Sequence, residues 1–246
     1  MGDITGISWT DHTFNPWWGC TKIAPGCDHC YAAALDRRTG GDHWAIKTPP
    51  RLTGEPNWNK PRRWNRVHEE AQSRGRVFCG SMMDWCDKNA PEGARARLFE
   101  LIERCPWLDF QLLTKRATLI ERSLPENWGV ERFPNVWLGV TVENRKFGYP
   151  RIDALRRVPA AIRFLSVEPM LERMADLDLT GIDWVICGGE SGPGCRPFDP
   201  DWAQELAEHC EAAGVAYWFK QHGGTRTDKG GDLLNGKAYK QWPITA

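Results

Sequence analysis

Residues 135–140 read Asn-Val-Trp-Leu-Gly-Val, and short apolar runs of this kind recur along the chain after residue 75. Four to six apolar residues between turn signals are typical of strands that are buried on both faces of a parallel sheet. Five further runs fit this pattern: Arg76–Cys79, Asp109–Leu113, Ile162–Val167, Asp183–Cys187 and Val215–Phe219. A weaker run at Ile7–Phe14 predicts one more strand, ahead of the others.

Helical patterns alternate with these runs. Between Pro91 and Pro106 apolar residues recur at helical spacing, and proline can open or end a helix. Asp199-Pro200 starts another helix in the favoured order of cap and then proline, and Gly214 ends it. Weaker helical patterns cover residues 60–74, 115–123 and 149–158.

This alternation predicts an α/β fold with a parallel sheet and right-handed crossovers. A complete eight-unit barrel takes about 250 residues. The chain has 246 residues, and its first 75 hold at most one unit. We therefore expect an incomplete parallel (βα)6–7 TIM-like barrel, with functional side chains at the C-terminal strand ends. We expect a single domain over residues 1–246, with a cysteine loop at 15–31 and a basic, Pro- and Trp-rich insertion at 41–66.

Composition and charge narrow the class of protein. Hydrophobic residues make up 41% of the chain and charged residues 26%, which is typical of globular proteins. Lys plus Arg and Asp plus Glu each number 32, so a broadly cationic surface is excluded but a local basic patch is not. No apolar run approaches the roughly 20 residues that span a bilayer, and the first residues lack a signal pattern. We expect a cytoplasmic protein without a membrane partner.

Three of the nine cysteines lie close together, with the spacing C-x6-C-x2-C at Cys20, Cys27 and Cys30. Clustered cysteines in a cytosolic chain indicate metal or redox chemistry more often than disulfides. Three thiolates on a cubic iron–sulfur cluster leave one iron open to another ligand, whereas a tetrahedral zinc site needs a fourth residue. Three histidines could supply it: His12, His29 and His43. Unligated thiols are a third interpretation.

The loop sequence NPWWGC…CDHCYA resembles the cluster loop of radical S-adenosylmethionine (SAM) enzymes, and within them the spore photoproduct lyase and DNA-repair-photolyase-like branch. The usual spacing there is C-x3-C-x2-C, so the first gap is three residues longer here, and His29 stands where an aromatic residue is common. Over nearly its whole length the chain also resembles the phage Gp37/Gp68 family, a three-cysteine-motif family. That resemblance is carried by SWTDHTFNPWWGC, CGSMMDWCD, FQLLTKR, WLGVTVEN, FLSVEPM, ICGGESGPGCRP and WFKQHG.

The radical SAM resemblance implies a 4Fe–4S cluster on Cys20, Cys27 and Cys30, with SAM on the open iron. In that superfamily an electron from an external donor cleaves SAM to methionine and a 5′-deoxyadenosyl radical, which removes a hydrogen atom from the substrate. The cofactor carries the chemistry, and the protein positions it and excludes water. The resemblance also implies contacts to SAM from hydroxyl and lysine groups at strand ends. The candidate cofactor-binding residues are Tyr31, Ser81, Asp84, Lys115, Thr141 and Glu143.

Later strand ends and one basic segment are candidates for substrate binding. Lys47–Arg66 carries six basic residues and one acid, with Trp58 and Trp64 among them. Such a segment suits a phosphate backbone with stacked bases, and we expect it beside the mouth of the cleft. A solvated lid with inward-packed tryptophans is the alternative. The candidate substrate-binding residues are Glu168, Glu190, Lys220, His222, Arg62, Arg63 and Arg66.

The resemblance implies a radical SAM enzyme, with nucleic acid as the candidate substrate for repair or modification. A zinc-stabilised nucleic-acid-binding protein without catalysis is a second hypothesis, and an α/β enzyme with a thiol nucleophile is a third. The phage-family resemblance also implies a three-Cys-motif partner protein, so a radical SAM enzyme that acts on a protein stays open.

Overall fold

The structure, a computed structural model, describes residues 5–244. Its strands are β1 (His12–Phe14), β2 (Trp17–Trp18), β3 (Arg51–Leu52), β4 (Gly75–Cys79), β5 (Leu108–Thr114), β6 (Val136–Thr141), β7 (Ile162–Val167), β8 (Trp184–Gly188), β9 (Ala216–Gln221), β10 (Leu233–Leu234) and β11 (Lys237–Ala238). Its α-helices are α1 (Tyr31–Arg38), α2 (Glu55–Trp58), α3 (Lys60–Glu70), α4 (Ala94–Glu103), α5 (Ile120–Ser123), α6 (Arg145–Arg156) and α7 (Pro200–Ala213). Two short 3-10 turns lie at Pro25–Cys27 and Ala117–Leu119.

Seven strands form one sheet in the order β1-β4-β5-β6-β7-β8-β9, and every neighbouring pair is parallel. β1 and β9 are the two edges, so the barrel does not close. All six apolar runs after residue 75 are strands of this sheet, and the weaker run at Ile7–Phe14 contains β1. The expected α/β fold with an incomplete parallel barrel is confirmed.

Helices cover the outer face of the sheet. α3 begins at Lys60 and α7 at Pro200, as the sequence predicts, whereas the starts of α4 and α6 differ from the expectation. α3 packs against β4 and β5, α6 against β6 and β7, and α7 against β8 and β9. α6 begins four residues earlier than the pattern indicates, because the Asn144 side chain accepts a hydrogen bond of 3.0 Å from the Phe147 amide and caps the helix. α4 begins at Ala94 and not at Pro91. Within residues 5–244, no helix is both long enough and apolar enough to cross a membrane.

The inner face of the sheet is filled by aromatic rings near the N-terminal ends of the strands. Trp184 is fully buried, and its ring centroid lies 5.2–6.3 Å from those of five aromatic neighbours: Trp9, Trp137, Phe164, Trp218 and Trp242. Inward and outward residues alternate along each strand, which gives this aromatic plug on one face and the helix-covered core on the other.

The two tryptophans of the basic segment are packed inward, as the lid interpretation predicts, so they are not available to stack on bases. Trp58 is 2% exposed and meets Phe14 edge to face, and Trp64 is 3% exposed and stacks on His12 at 4.4 Å. Burial of these large rings stabilises the contact between α2, α3 and the sheet.

We expect Trp184→Ala to lower the free energy of unfolding by about 3–5 kcal/mol, because it leaves a large hole among five rings. Trp202→Ala, on α7 where the ring is half-buried at the edge of the core, should lower the free energy of unfolding clearly less. Urea unfolding followed by circular dichroism measures both losses. Equal losses would show that the aromatic plug contributes no more than one half-buried ring.

Candidate active site

A cavity of about 480 Å³ lies inside the half-barrel at the C-terminal ends of the strands. Its inner surface includes Trp9 and Phe78, and strand-end groups such as Leu113 and Ser166 form its wall. Loops after β1, β8 and β9 form its rim. This is the position where parallel α/β sheets bind ligands, because loops from neighbouring strands meet there.

The three clustered thiols line this cavity. Cys20, Cys27 and Cys30 are half-buried, and none is in a disulfide. The antiparallel pair β2–β3 leads into Cys20, the 3-10 turn ends at Cys27, and Cys30 precedes α1. Across residues 5–244, no three Cys, His, Asp or Glu side chains are placed to hold one metal ion.

Gly19 fixes the entry to the cysteine loop. Its φ is +124°, a conformation that side-chain-bearing residues rarely adopt. A Cβ there would lie 2.8 Å from the carbonyl oxygen of His43 and 3.0 Å from Cα of Pro50. Only glycine therefore allows the segment around residues 43–50 to pack against the start of the loop.

Arg116 anchors the cysteine loop from beneath and was not singled out by the sequence. Its guanidinium is buried and lies 2.8 Å from the carboxylate of Asp84 and 2.9 Å from that of Asp87. It also donates to the Thr21 carbonyl oxygen at 2.6 Å and to the Cys20 sulfur at 3.5 Å. The Asp87 carboxylate accepts a hydrogen bond from the Thr21 amide at 3.0 Å. Arg116 and Asp87 therefore both bind the backbone of the cysteine loop at Thr21.

Burial raises the pKa of the Cys20 thiol to about 12, and the carboxylate of Asp84 adds to the rise while Arg116 opposes it. At neutral pH this group is therefore a thiol, and a soft metal centre would have to displace its proton in order to bind.

Asp84 lines the cavity, but its carboxylate is fully used by the protein. It accepts from the Thr114 hydroxyl at 2.6 Å, from the amides of Lys115 and Cys86 at 3.0 Å each, and from Arg116. These bonds tie the turn after β4 to the end of β5. The contact of Asp84 with a cofactor stays a prediction.

Glu143 does not line the cavity, which corrects its place among the expected cofactor contacts. The side chain is fully buried and pairs with the guanidinium of Arg151 on α6. It lies directly under the cysteine loop, since a Cβ on Gly26 would sit 3.3 Å from its carboxyl carbon. Glu143 therefore supports the loop between two of the cysteines.

The other candidate cofactor contacts all line the cavity. The Ser81 hydroxyl accepts from the Asn15 amide at 2.8 Å, which leaves its own proton available to a ligand. Tyr31 donates to the Ser81 carbonyl oxygen at 2.8 Å, and its ring is half-exposed. Lys115 donates to the hydroxyl of Thr141 at 3.3 Å, so its ammonium has two donors left.

Asn15 is a further residue that sequence reasoning left without a role. It is fully buried, and its side-chain oxygen accepts from the Met82 amide at 2.8 Å while its nitrogen bonds Ser81. The carbonyl oxygen of Asn15 in turn accepts from Asn57 at 3.0 Å. In the sequence, only its position in the NPWWGC motif, just before β2, indicated that Asn15 has a role.

The candidate substrate residues at later strand ends divide into two groups. Glu168, Glu190 and Lys220 line the cavity, and the Lys220 ammonium lies 2.5 Å from the Glu168 carboxylate. Glu190 pairs with Arg196 at 2.6 Å, and Arg196 reaches over to the Pro25 carbonyl oxygen at 2.9 Å. The Glu190–Arg196 pair therefore connects the loop after β8 to the cysteine loop.

His222 does not line the cavity, which corrects its place among the substrate residues. Its Nε2–H donates to the Leu233 carbonyl oxygen at 2.8 Å, and the ring packs edge-on against Phe198 and Phe219. Of the three histidines considered as zinc ligands, only His29 lines the cavity. His12 is stacked on a buried indole, and His43 pairs with Asp36 at 2.9 Å.

Arg62, Arg63 and Arg66 lie on the exposed side of α3, which packs on the outer face of the sheet. They surround a surface hollow with Pro56, Asn59 and Lys60, and none of the six lines the cavity. The expectation that this part of the basic segment borders the cleft is corrected. Only Trp44, from the start of the 41–66 insertion, reaches the cavity.

Solved structures with a similar fold include mutants of spore photoproduct lyase. One matches with a TM-score of 0.50 at 13% identity, covering 81% of this chain and 61% of that one. A second matches with a TM-score of 0.50 at 11% identity, covering 84% and 75%. A third structure, a mutant with bound AdoMet and dinucleoside spore photoproduct, matches with a TM-score of 0.48 at 9% identity. The match covers 81% of this chain and 61% of that one.

At these identities the similarity concerns the fold alone. This chain covers about 61% of the length of two of these lyase structures. No protein with a curated description matches the chain. A family model described as "Protein of unknown function (DUF5131)" matches residues 4–243, and the chain belongs to that family.

Proposed function

We propose that this protein is a radical SAM enzyme in which Cys20, Cys27 and Cys30 hold a 4Fe–4S cluster and SAM occupies the adjoining cavity. The observation that carries the proposal is that three free thiols of one short loop line one cavity, at the C-terminal edge of a parallel half-barrel. The fold shared with spore photoproduct lyase, at a TM-score of 0.50, supports it as far as architecture goes.

The donor set suits a cubic cluster. Each of the three thiolates can bind a different iron, which leaves the fourth iron open to another ligand. A zinc ion would need a fourth protein ligand, and of the three histidines considered for that role His29 lines the cavity. A cavity of about 480 Å³ is also of the size that takes a small ligand.

The groups beside the thiols suit the polar parts of SAM. The Lys115 ammonium can pair with a carboxylate, and the Ser81 hydroxyl can donate to one. Thr141 orients Lys115, and Tyr31 lies at the open side of the site. Bound together, the cluster and SAM would supply one-electron cleavage of SAM and hydrogen-atom abstraction. The aromatic plug closes the inner end of the cavity against water.

The remaining parts of the proposal concern location, reductant and partners. The enzyme works in the cytoplasm with an external electron donor, and its family is the phage Gp37/Gp68 family that its motifs resemble. Its substrate is a nucleic acid. A protein substrate, such as a three-Cys-motif partner, is the alternative that product analysis separates.

The test is to reconstitute the protein with iron and sulfide without oxygen, reduce it, and add SAM. We expect 5′-deoxyadenosine and methionine to form, and none from protein reconstituted with zinc. SAM that stays intact in the presence of a complete, reduced cluster would contradict the proposal. Isotopically labelled SAM, offered with DNA, RNA and protein pools, then identifies the class of molecule that exchanges hydrogen.

A further inference from the structure

The loop that follows β9 forms one end of the cavity. Residues 223–231 read Gly-Gly-Thr-Arg-Thr-Asp-Lys-Gly-Gly. The loop is fixed against the turn after β8, because the Gly224 amide donates to the Glu190 carbonyl oxygen at 2.8 Å. Gly223 has a φ of +92°, and a Cβ there would lie 2.3 Å from that same oxygen. Five of the loop residues line the cavity: Gly224, Thr225, Arg226, Thr227 and Lys229.

This loop presents unused hydrogen-bond donors. The amides of Thr225, Arg226 and Thr227 and the two threonine hydroxyls make no hydrogen bond to any residue in the range 5–244. Backbone amides and hydroxyls grouped in a glycine-rich turn are the donors that proteins use to bind phosphate oxygens.

The charges at this end of the cavity are unbalanced. Lys220 is paired with Glu168 at 2.5 Å, but the Lys229 ammonium has no ion-pair partner among the residues the structure describes. Burial lowers the pKa of Lys229, and the neighbouring charge of Lys220 lowers it further, while Glu168 opposes the shift. Arg226 adds a second cation, whose ion-pair partner within the described part of the chain is Asp228, at 3.4 Å. A bound anion would relieve this excess of positive charge.

We propose that the 223–231 loop binds a phosphate group of the substrate, with Lys229 and Arg226 as its cations and the loop amides and hydroxyls as its neutral donors. The number of donors suits the several free oxygens of a phosphate. The inference rests on the proposed function, since it places a phosphate-bearing substrate in the cavity that SAM is proposed to share. It favours a nucleotide or nucleic acid over the alternative of a protein substrate.

The phosphate site is separate from the carboxylate site proposed for SAM at Lys115. In the sheet order β9 lies four strands from β5, at whose end Lys115 stands. The loop and Lys115 therefore enter the cavity from strands that are not neighbours, and the donors proposed for phosphate are different groups from those proposed for SAM.

The test uses the reconstituted protein with SAM bound and a pool of all deoxydinucleotides, each with one phosphodiester. The same pool with a neutral methylphosphonate linkage is the uncharged probe. Calorimetry should show the charged pool binding about tenfold more tightly or better, since hydrogen bonds to a charged group contribute that much. Lys229→Gln should remove most of this preference, and inorganic phosphate should compete with the charged pool only.

Lys237→Gln is the matched control, because Lys237 is exposed on β11 and does not line the cavity. It should leave the preference for the charged pool unchanged. Equal binding of the two pools, no binding of either, or an equal loss for both pools in Lys229→Gln would each overturn the proposal. If SAM is not cleaved but the preference persists, the radical SAM function fails and the phosphate site stands. If SAM is cleaved and no preference is found, only the phosphate site fails.

Discussion

Replacing any one of Cys20, Cys27 or Cys30 by serine should reduce the cluster iron from about four per chain to a small fraction and abolish SAM cleavage. The expectation follows from the proposed cluster, because a hydroxyl is a harder and far weaker ligand for iron than a thiolate. Iron and acid-labile sulfide are measured after anaerobic reconstitution, with far-ultraviolet circular dichroism to verify folding.

Cys195→Ser is the matched control for these three variants. Cys195 is also a half-buried free thiol, and it lies in the loop after β8, which contacts the cysteine loop. It does not line the cavity. Its variant should keep its iron and its activity. A loop variant with full iron content, or a Cys195→Ser protein without iron, would show that the ligands have been assigned wrongly.

Arg116→Gln should lower the free energy of unfolding by about 3–5 kcal/mol, because it leaves two buried carboxylates without their cation. Asp84 and Asp87 are 5% and 1% exposed, and the neutral amide cannot replace the charge. The cysteine loop should loosen as well, since Arg116 also holds the Thr21 carbonyl oxygen. Urea unfolding gives the loss, and susceptibility of the loop to limited proteolysis gives its loosening.

Arg173→Gln is the matched control, because it removes an exposed ion pair with Glu205. It should change the free energy of unfolding little. An equal effect of the two substitutions would contradict the account.

The strands could be predicted from sequence because burial on both faces leaves a continuous apolar run. The run Ile162–Val167 has the same bounds as strand β7. The other five runs predicted after residue 75 differ from their strands by one or two residues at either end. The start of α7 at Pro200 could be predicted from its cap and proline, but the start of α6 could not, because it depends on one capping contact. The bond from Asn144 to Phe147 moves the start of α6, and no apolar periodicity indicates it.

The site could be predicted only as far as it is local in the sequence. The three cysteines lie within eleven residues, so their shared cavity followed from spacing. The roles of Asp84 and Glu143 did not follow, because a carboxylate at a strand end looks the same whether it faces a ligand or a buried arginine. Arg116, Asn15 and Lys229 were missed because their roles depend on contacts between loops that are far apart in the chain.

The central claim is that the thiol loop holds a cluster to which SAM binds directly, and electron paramagnetic resonance of the reduced, reconstituted protein tests it best. The account predicts the signal of a reduced 4Fe–4S cluster, and a changed signal when SAM is added, because SAM would then occupy the open iron. A protein that takes up zinc and gives no such signal would contradict it. A cluster signal that saturating SAM leaves unchanged would contradict it equally.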